Sequence, residues 1–180
     1  MLTINNKNLN QFKNKFKKKT NLLALDVDGT ICLDTRYNYN FNLFFEKKDF
    51  LRSLRKLIFF SNYTVVFITN QSGIGRKYFS INQYKEYIQK VMTFLDLNYS
   101  IYVEKVFVCP HRPEDNCNCR KPNGNLLKKA ISEYKVKPES VLMFGDNLHD
   151  KIELNKATNH KGNFIYVNNL NNIDRNCYLR

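Results

Sequence analysis

Apolar positions along the chain fall into short continuous runs separated by stretches of helical spacing. Leu22 to Val27 (LLALDV) is such a run and ends on Asp-Gly, the mark of a buried strand leaving into a turn. Tyr63 to Thr69 (YTVVFIT), Tyr102 to Val108, Ser140 to Phe144 and Phe164 to Val167 have the same character and predict four further strands. Between them the period changes. Glu46 to Phe60 sets Phe50, Leu54 and Leu57 on one helical face. Ile81 to Leu97 repeats apolar residues at Ile81, Tyr84, Ile88, Val91, Met92 and Leu95, and Ser80 stands where an N-cap belongs. Leu126 to Tyr134 predicts a third helix, and a short one precedes the last strand. Residues 31–45 mix Tyr, Asn and Phe without a period and read as a loop, Gly73 and Gly75 mark a turn, and 109–122 is a Cys- and Pro-rich loop.

Strands alternating with helices predict an α/β domain with a mainly parallel sheet flanked by helices, expected over 21–168. A polar, basic arm over 1–20 and an Asn-rich tail over 169–180 are expected to be loose. In open parallel sheets ligands bind beyond the carboxyl ends of the strands. The polar residues of interest stand there: Asp26 and Asp28, then Thr69 and Asn70, then Asp146. Three separated segments are therefore expected to converge on one site.

Composition narrows the class. A chain of 180 residues that is 43% hydrophobic is one ordinary domain with enough apolar mass for a core. The formal net charge of +13 admits a polyanionic partner such as nucleic acid. The basic residues are spread along the chain among abundant Asn, Ile and Tyr, which fits a compositional bias better than a binding stripe. No apolar run approaches a membrane span, and the N-terminal stretch has no signal-type apolar region. A cytoplasmic, monomeric protein is the expectation. Three of the five cysteines (Cys32, Cys109, Cys117, Cys119, Cys177) crowd together beside His111, which suggests metal binding in a reducing compartment.

Asp26-Val27-Asp28-Gly29-Thr30 carries two acids that leave the end of an apolar strand. Carboxylates so close repel unless a cation lies between them, and Mg²⁺ suits both oxygen ligands and phosphate substrates. One acid can then attack phosphorus while the other protonates the leaving oxygen. The competing reading is an Asp-Gly turn that closes a hairpin. Thr69-Asn70-Gln71-Ser72-Gly73 offers a hydroxyl and free backbone N–H groups to a phosphoryl oxygen, or is an ordinary polar turn. Arg120-Lys121-Pro122 sets two cations before a helix, with Lys121 suited to the transferring phosphate and Arg120 to another part of a substrate. In Gly145-Asp146-Asn147-Leu148-His149-Asp150, Asp146 either completes a Mg²⁺ site or caps the next helix, and Asp150 stands behind it.

Taken in order, DVDGT, TNQSG, RKP and GDNLHD resemble the four motifs of the haloacid-dehalogenase (HAD) superfamily of phosphatases, and the resemblance runs from about residue 22 to 167. It implies a Rossmann-like fold, Asp26 as nucleophile and Asp28 as general acid and base. Mg²⁺ would be held by Asp26, Asp28 (through its backbone carbonyl) and Asp146, and Thr69 and Lys121 would steady the phosphoryl group. The short spaces after the first two motifs predict no large cap domain.

Cys109, His111, Cys117 and Cys119 are spaced C-x-H-x₅-C-x-C. Three thiolates and an imidazole make a closed four-coordinate zinc set with no open position, so the zinc is read as a staple that positions Arg120 and Lys121. This loop resembles that of two related families, which act on D-glycero-D-manno-heptose 1,7-bisphosphate and on histidinol phosphate. Its short length is closer to the histidinol-phosphate family. TNQSGIGRKYF and RKPNGNLLKKA are similar to the heptose family's TNQSGIARGxF and RKPxPGMLLxA. Asp34 and Tyr37 fall where that family contacts substrate, and Asn70, Gln71, Ser72 and Arg120 complete the expected substrate-binding set. The chain departs from the pattern at Val27, where both families usually carry Arg, and at Asn147, where the heptose family usually carries Lys. A small phosphorylated metabolite is the expected partner, first a heptose bisphosphate and second histidinol phosphate. A nucleic-acid 3′-phosphatase is a third possibility, since DNA-end phosphatases of the superfamily share similar motifs. The fourth is a non-enzymatic nucleic-acid binder on the same scaffold.

Overall fold

The computed structural model of the protein describes residues 1–6, 20–34, 37 and 39–167. Six strands, β1 (Leu2–Asn5), β2 (Asn21–Leu25), β3 (Tyr63–Asn70), β4 (Val103–Cys109), β5 (Val141–Gly145) and β6 (Asn163–Tyr166), form one sheet in the order β1-β4-β3-β2-β5-β6. All neighbouring pairs are parallel except β1 with β4. Among the described residues, five α-helices join them: α1 (Lys48–Phe60), α2 (Ser72–Gly75), α3 (Ile81–Tyr99), α4 (Asn125–Tyr134) and α5 (Leu148–Thr158).

Side chains of the central strands alternate between two cores, as the two-residue period of a strand requires. Leu23, Leu25, Val65 and Phe67 point to the side covered by α1 and α3, where Leu51, Leu54, Ile88 and Met92 are buried. Leu22, Ala24, Val66 and Ile68 point to the side of α4 and α5, against Leu126, Leu127 and Leu154. A strand buried on both faces reads as a continuous apolar run, which is why β2 and β3 stand out in the sequence. Helix α3 starts as its sequence predicts. The Gln83 N–H donates to Ser80 Oγ at 3.2 Å, and the Ser80 N–H donates to Gln83 Oε1 at 2.7 Å, a reciprocal capping box.

The loose arm expected over 1–20 does not begin as one. Leu2–Asn5 pairs antiparallel with β4, and Ile4 enters the core. Four residues in which Leu2 and Ile4 alternate with Thr3 and Asn5 are too few to register as a pattern, yet they match the open edge of β4. The rest of the expected arm, 7–19, and the tail over 169–180 lie outside the described residues. Among the described residues, the stretch between β2 and α1 holds nothing larger than one 3-10 turn (Phe41–Leu43), and the stretch between β3 and α3 only the four-residue α2. No helix among the described residues is long and apolar enough to cross a membrane.

Candidate active site

The three central strands, β3-β2-β5, end side by side, and the expected residues leave from those ends. The Asp26 N–H donates to the Phe144 carbonyl at 3.0 Å, which continues the β2–β5 pairing one residue past the strand. Because β2 pairs in parallel on both sides, Asp28-Gly29 closes no hairpin. Gly29 adopts a φ of +80°, and a Cβ there would lie 2.1 Å from Asp146 Oδ2. The glycine thus lets the loop after β2 approach the acid that follows β5. Asp146 does not cap α5. That role belongs to Asn147, whose Oδ1 accepts from the His149 and Asp150 N–H groups at 2.9 and 3.3 Å.

Lys121 reaches into the same place from the loop before α4. Its buried ammonium donates to Asp26 Oδ1 at 2.5 Å, to Asp150 Oδ1 at 2.6 Å and to the Ile68 carbonyl at 3.0 Å. Burial works against its charge, but the Asp26 and Asp150 carboxylates outweigh that and hold its pKa above the ordinary lysine value. For Asp26 the balance falls the other way. Burial pushes its pKa up to about 8, Lys121 opposes the rise, and Asp150 adds to it. Oxygen atoms of Asp26, Asp146 and Asp150 lie within 4.8 Å of one another. Three carboxylates against one ammonium leave an excess of negative charge that a divalent cation would cancel, and an all-oxygen set suits Mg²⁺.

Asp28 points away from this cluster. Its Oδ2 accepts from Gln71 Nε2 at 2.8 Å, and the same amide donates to Thr69 Oγ1 at 2.9 Å. Burial raises Asp28 to about 6, the Gln71 hydrogen bond eases the rise, and the negative charge of the exposed Asp34 adds to it. Asn70 and Gln71, expected to touch substrate, spend their side chains on the protein. Asn70 clamps the backbone of Lys121, accepting from its N–H at 3.0 Å and donating to its carbonyl at 3.2 Å. Gln71 bridges Asp28 and Thr69. Ser72 lies at the start of α2 with its Oγ 3.4 Å from the Tyr37 hydroxyl. Arg120 is half-buried and donates to the His111 carbonyl at 3.2 Å.

The four expected zinc ligands come together at the end of β4. Cys109 Sγ lies 3.5 Å from Cys117 Sγ and 3.7 Å from His111 Nδ1, Cys117 Sγ lies 3.6 Å from Cys119 Sγ, and His111 Nδ1 lies 3.3 Å from Cys119 Sγ. These separations are far too long for a disulfide of about 2.05 Å. They match the edges of a tetrahedron around zinc, about 3.8 Å between sulfurs bound at about 2.3 Å. The cluster is joined to the loop after β3, since the Gln71 N–H donates to the Cys109 carbonyl at 2.7 Å and the Gly75 N–H to the Pro110 carbonyl at 2.9 Å.

Three contributors were not read from the sequence. Glu153 is fully buried and accepts from the Gly124 and Leu127 N–H groups at 2.6 and 3.1 Å, so α5 anchors the start of α4 just after Lys121. Lys47 donates to the Gly29 carbonyl, and Tyr39 donates to Gln71 Oε1. Only Glu153 left a signal, one turn beyond Asp150 on the same helical face.

Comparison with known proteins agrees with this geometry. Residues 21–170 match the family described as polynucleotide kinase 3 phosphatase. The D-glycero-beta-D-manno-heptose-1,7-bisphosphate 7-phosphatase of Haemophilus influenzae is 35% identical, over 71% of this chain and 72% of its own. The enzyme of that name from Helicobacter pylori (strain ATCC 700392 / 26695) is 32% identical, over 82% of this chain and 84% of its own. The crystal structure of D,D-heptose 1,7-bisphosphate phosphatase from B. bronchiseptica, complexed with magnesium and phosphate, superposes with a TM-score of 0.68 at 28% identity, covering 79% of this chain and 77% of that one. The chain belongs to the polynucleotide kinase 3 phosphatase family of HAD-type phosphatases, in which it stands beside the heptose-1,7-bisphosphate 7-phosphatases.

Proposed function

We propose that the protein is a magnesium-dependent phosphomonoesterase that removes the 7-phosphate of D-glycero-D-manno-heptose 1,7-bisphosphate through an aspartyl-phosphate. The observation that carries the chemistry is the Asp26 carboxylate at the end of β2, 2.5 Å from the buried Lys121 ammonium and two residues before Asp28. The names of the relatives support the substrate.

In this reading an Asp26 oxygen attacks phosphorus, and the bond from phosphorus to the sugar oxygen breaks. Asp28, held by Gln71, gives that oxygen its proton. Water then attacks the aspartyl-phosphate and returns a proton to Asp28, which releases inorganic phosphate and restores Asp26. Lys121 and the Thr69 hydroxyl neutralise and orient the phosphoryl oxygens. Ser72, Tyr37, Asp34 and Arg120 would contact the sugar, and Asn70 fixes Lys121. Asp26, Asp146 and the Asp28 carbonyl would hold Mg²⁺, with Asp150 beside them. Bound there, the ion supplies charge that screens nucleophile from phosphate.

This arrangement has a pH signature. The folded pKa values of Asp26 (about 8) and Asp28 (about 6) exceed the ordinary carboxylate value of 3.8, so the folded state binds more protons than the unfolded one in between. Metal-free protein should therefore lose stability from these groups as pH rises from 3.8 towards 8. Mg²⁺ competes with those protons. Its stabilising effect in thermal melting should be larger at about pH 8 than at about pH 5.5. An equal effect at both values would separate the metal from Asp26.

The protein should also contain about one zinc per chain when purified under reducing conditions without chelator. Cys117→Ser should loosen the loop before Lys121 and reduce turnover on the order of 10²-fold, since a displacement of about 1 Å costs that much. The central sheet should still melt cooperatively. Elemental analysis with steady-state kinetics checks both, and wild-type kinetics in a zinc-free variant would remove zinc from the account. Cysteines committed to zinc and not to disulfides, at Cys109, Cys117 and Cys119, support a cytoplasmic, reducing compartment.

A second reading, a nucleic-acid 3′-phosphatase, is favoured by the family description and the net charge of +13. Phosphate release from heptose bisphosphate, histidinol phosphate and a 3′-phosphorylated oligonucleotide decides between them. The heptose bisphosphate should give the highest kcat/KM, and a preference for the oligonucleotide would replace the first reading with the second.

A further inference from the structure

Gln71 is tied at every polar atom of its side chain. One amide proton goes to Asp28 Oδ2 at 2.8 Å, the other to Thr69 Oγ1 at 2.9 Å, and Oε1 accepts from the Tyr39 hydroxyl. Tyr39 comes from the aperiodic stretch after β2, not from any motif. Its ring is fixed by three others, Phe79 at 4.3 Å, Tyr87 at 5.0 Å and Tyr84 at 5.3 Å between centroids. Phe79 in turn presses on the turn after β3, where a Cβ on Gly73 would lie 2.2 Å from its ring. An aromatic box built from the loop after β2, the turn before α3 and α3 itself thus aims one hydroxyl at one amide oxygen.

We propose that Tyr39 is a positioning residue: by donating to Gln71 Oε1 it fixes the orientation of the Gln71 amide, which aims the Asp28 carboxyl at the leaving-group oxygen. The amide has two orientations that differ by exchange of oxygen and nitrogen. In the observed one, N–H faces the Asp28 carboxylate. In the other, oxygen would face oxygen at Asp28, and the Tyr39 hydroxyl would face the amide N–H₂ and keep only Asp28 as an acceptor. Tyr39 is half-buried with its ring packed on three others, so its hydroxyl is held where it donates to Gln71 Oε1 and favours the first orientation. Thr69, which faces the phosphoryl group in the reading above, is held by the same amide. The inference rests on that reading, because it needs Asp28 to deliver a proton.

A proton matters only to a leaving group that cannot depart without one. An alkoxide from a sugar phosphate needs it, whereas nitrophenolate leaves as the anion. The quantity kcat/KM reports on steps up to formation of the aspartyl-phosphate, so it isolates this transfer from the later attack by water. Tyr39→Phe keeps the ring and deletes the hydroxyl. Its kcat/KM should fall about 10-fold for heptose bisphosphate and less than about 2-fold for p-nitrophenyl phosphate. Gln71→Met also releases Thr69, so it should lower both substrates, with a clearly larger loss for heptose bisphosphate, and adding Tyr39→Phe to it should cost nothing further, because the two act in series. A purely structural role would lower both substrates in the same proportion. Equal losses, no loss in either single variant, or additive losses in the double variant would overturn the inference while wild-type turnover leaves the phosphatase reading standing. Wild-type protein that hydrolyses neither substrate would overturn both. If Tyr39→Phe does not fold, the substrate ratio of Gln71→Met decides alone: a selective loss supports the relay, and an equal loss or none overturns it.

Discussion

Asp26→Asn should lower turnover by roughly 10⁴-fold or more and leave the protein folded. The amide nearly matches the carboxylate in size but cannot attack phosphorus effectively, so no aspartyl-phosphate forms. The fold survives because the charge beside Asp26 keeps a partner. Lys121 retains Asp150 at 2.6 Å and the Ile68 carbonyl at 3.0 Å, and one carboxylate then balances one ammonium. Burial already pushes the Asp26 carboxyl up to about 8, so a neutral group there should raise thermal stability slightly at neutral pH. Phosphate release and a melting curve on the same preparation check both halves. Near-normal turnover, free of contaminating phosphatase, would end the aspartyl-phosphate mechanism.

Lys121→Met should do the opposite to stability. Methionine approximates the lysine stem but leaves Asp26 and Asp150 facing one another without a cation, both nearly inaccessible to water. Removing one partner of a buried ion pair typically costs about 3–5 kcal/mol, which for a chain of this size lowers the melting temperature by roughly 10 °C. The deficit should shrink as the pH is lowered, because the stranded carboxylates can take up protons. Mg²⁺ should recover part of the stability. It should not recover turnover, which loses a phosphoryl-stabilising donor worth on the order of 10²–10³-fold. A variant that melts like wild type at neutral pH and keeps a tenth of its activity would show that Lys121 serves neither purpose.

The part of this site legible in the sequence is the part written in contiguous runs. Asp26, Asp28 and Asp146 follow apolar strands directly and Thr69 stands near the end of one, so the rule for parallel sheets brings them together without a structure. The four proposed zinc ligands span eleven positions, Cys109 to Cys119, and their spacing alone set them apart. What stayed hidden depends on partners far along the chain. Asn70 looked like a substrate contact, because the Lys121 backbone it clamps lies 51 residues away. Gln71 looked the same, and the Asp28 it holds lies 43 residues away. Tyr39 sits in a stretch with no period, and its meaning arises only once three other rings surround it. Asp146 and Asn147 are both good helix caps by type, and only the approach of Gly29 shows which one is released for other work. Strand β1 was missed for a different reason. Four alternating residues gain their stability from the edge they pair with, which no local pattern records.

The position of β2 in the sheet also bears on how the molecule opens. It has β3, β4 and β1 on one side and β5 and β6 on the other, and its residues from Leu22 to Leu25 are wholly buried. Local openings begin at edges, where few neighbours must part. Amide hydrogens in β1 and β6 should therefore exchange with solvent deuterium by fraying, while those of β2 wait for the whole domain to come apart. Asp26, the proposed nucleophile, hangs from the end of that slowest-exchanging strand, so a molecule that has shed either margin of its sheet still carries it in place.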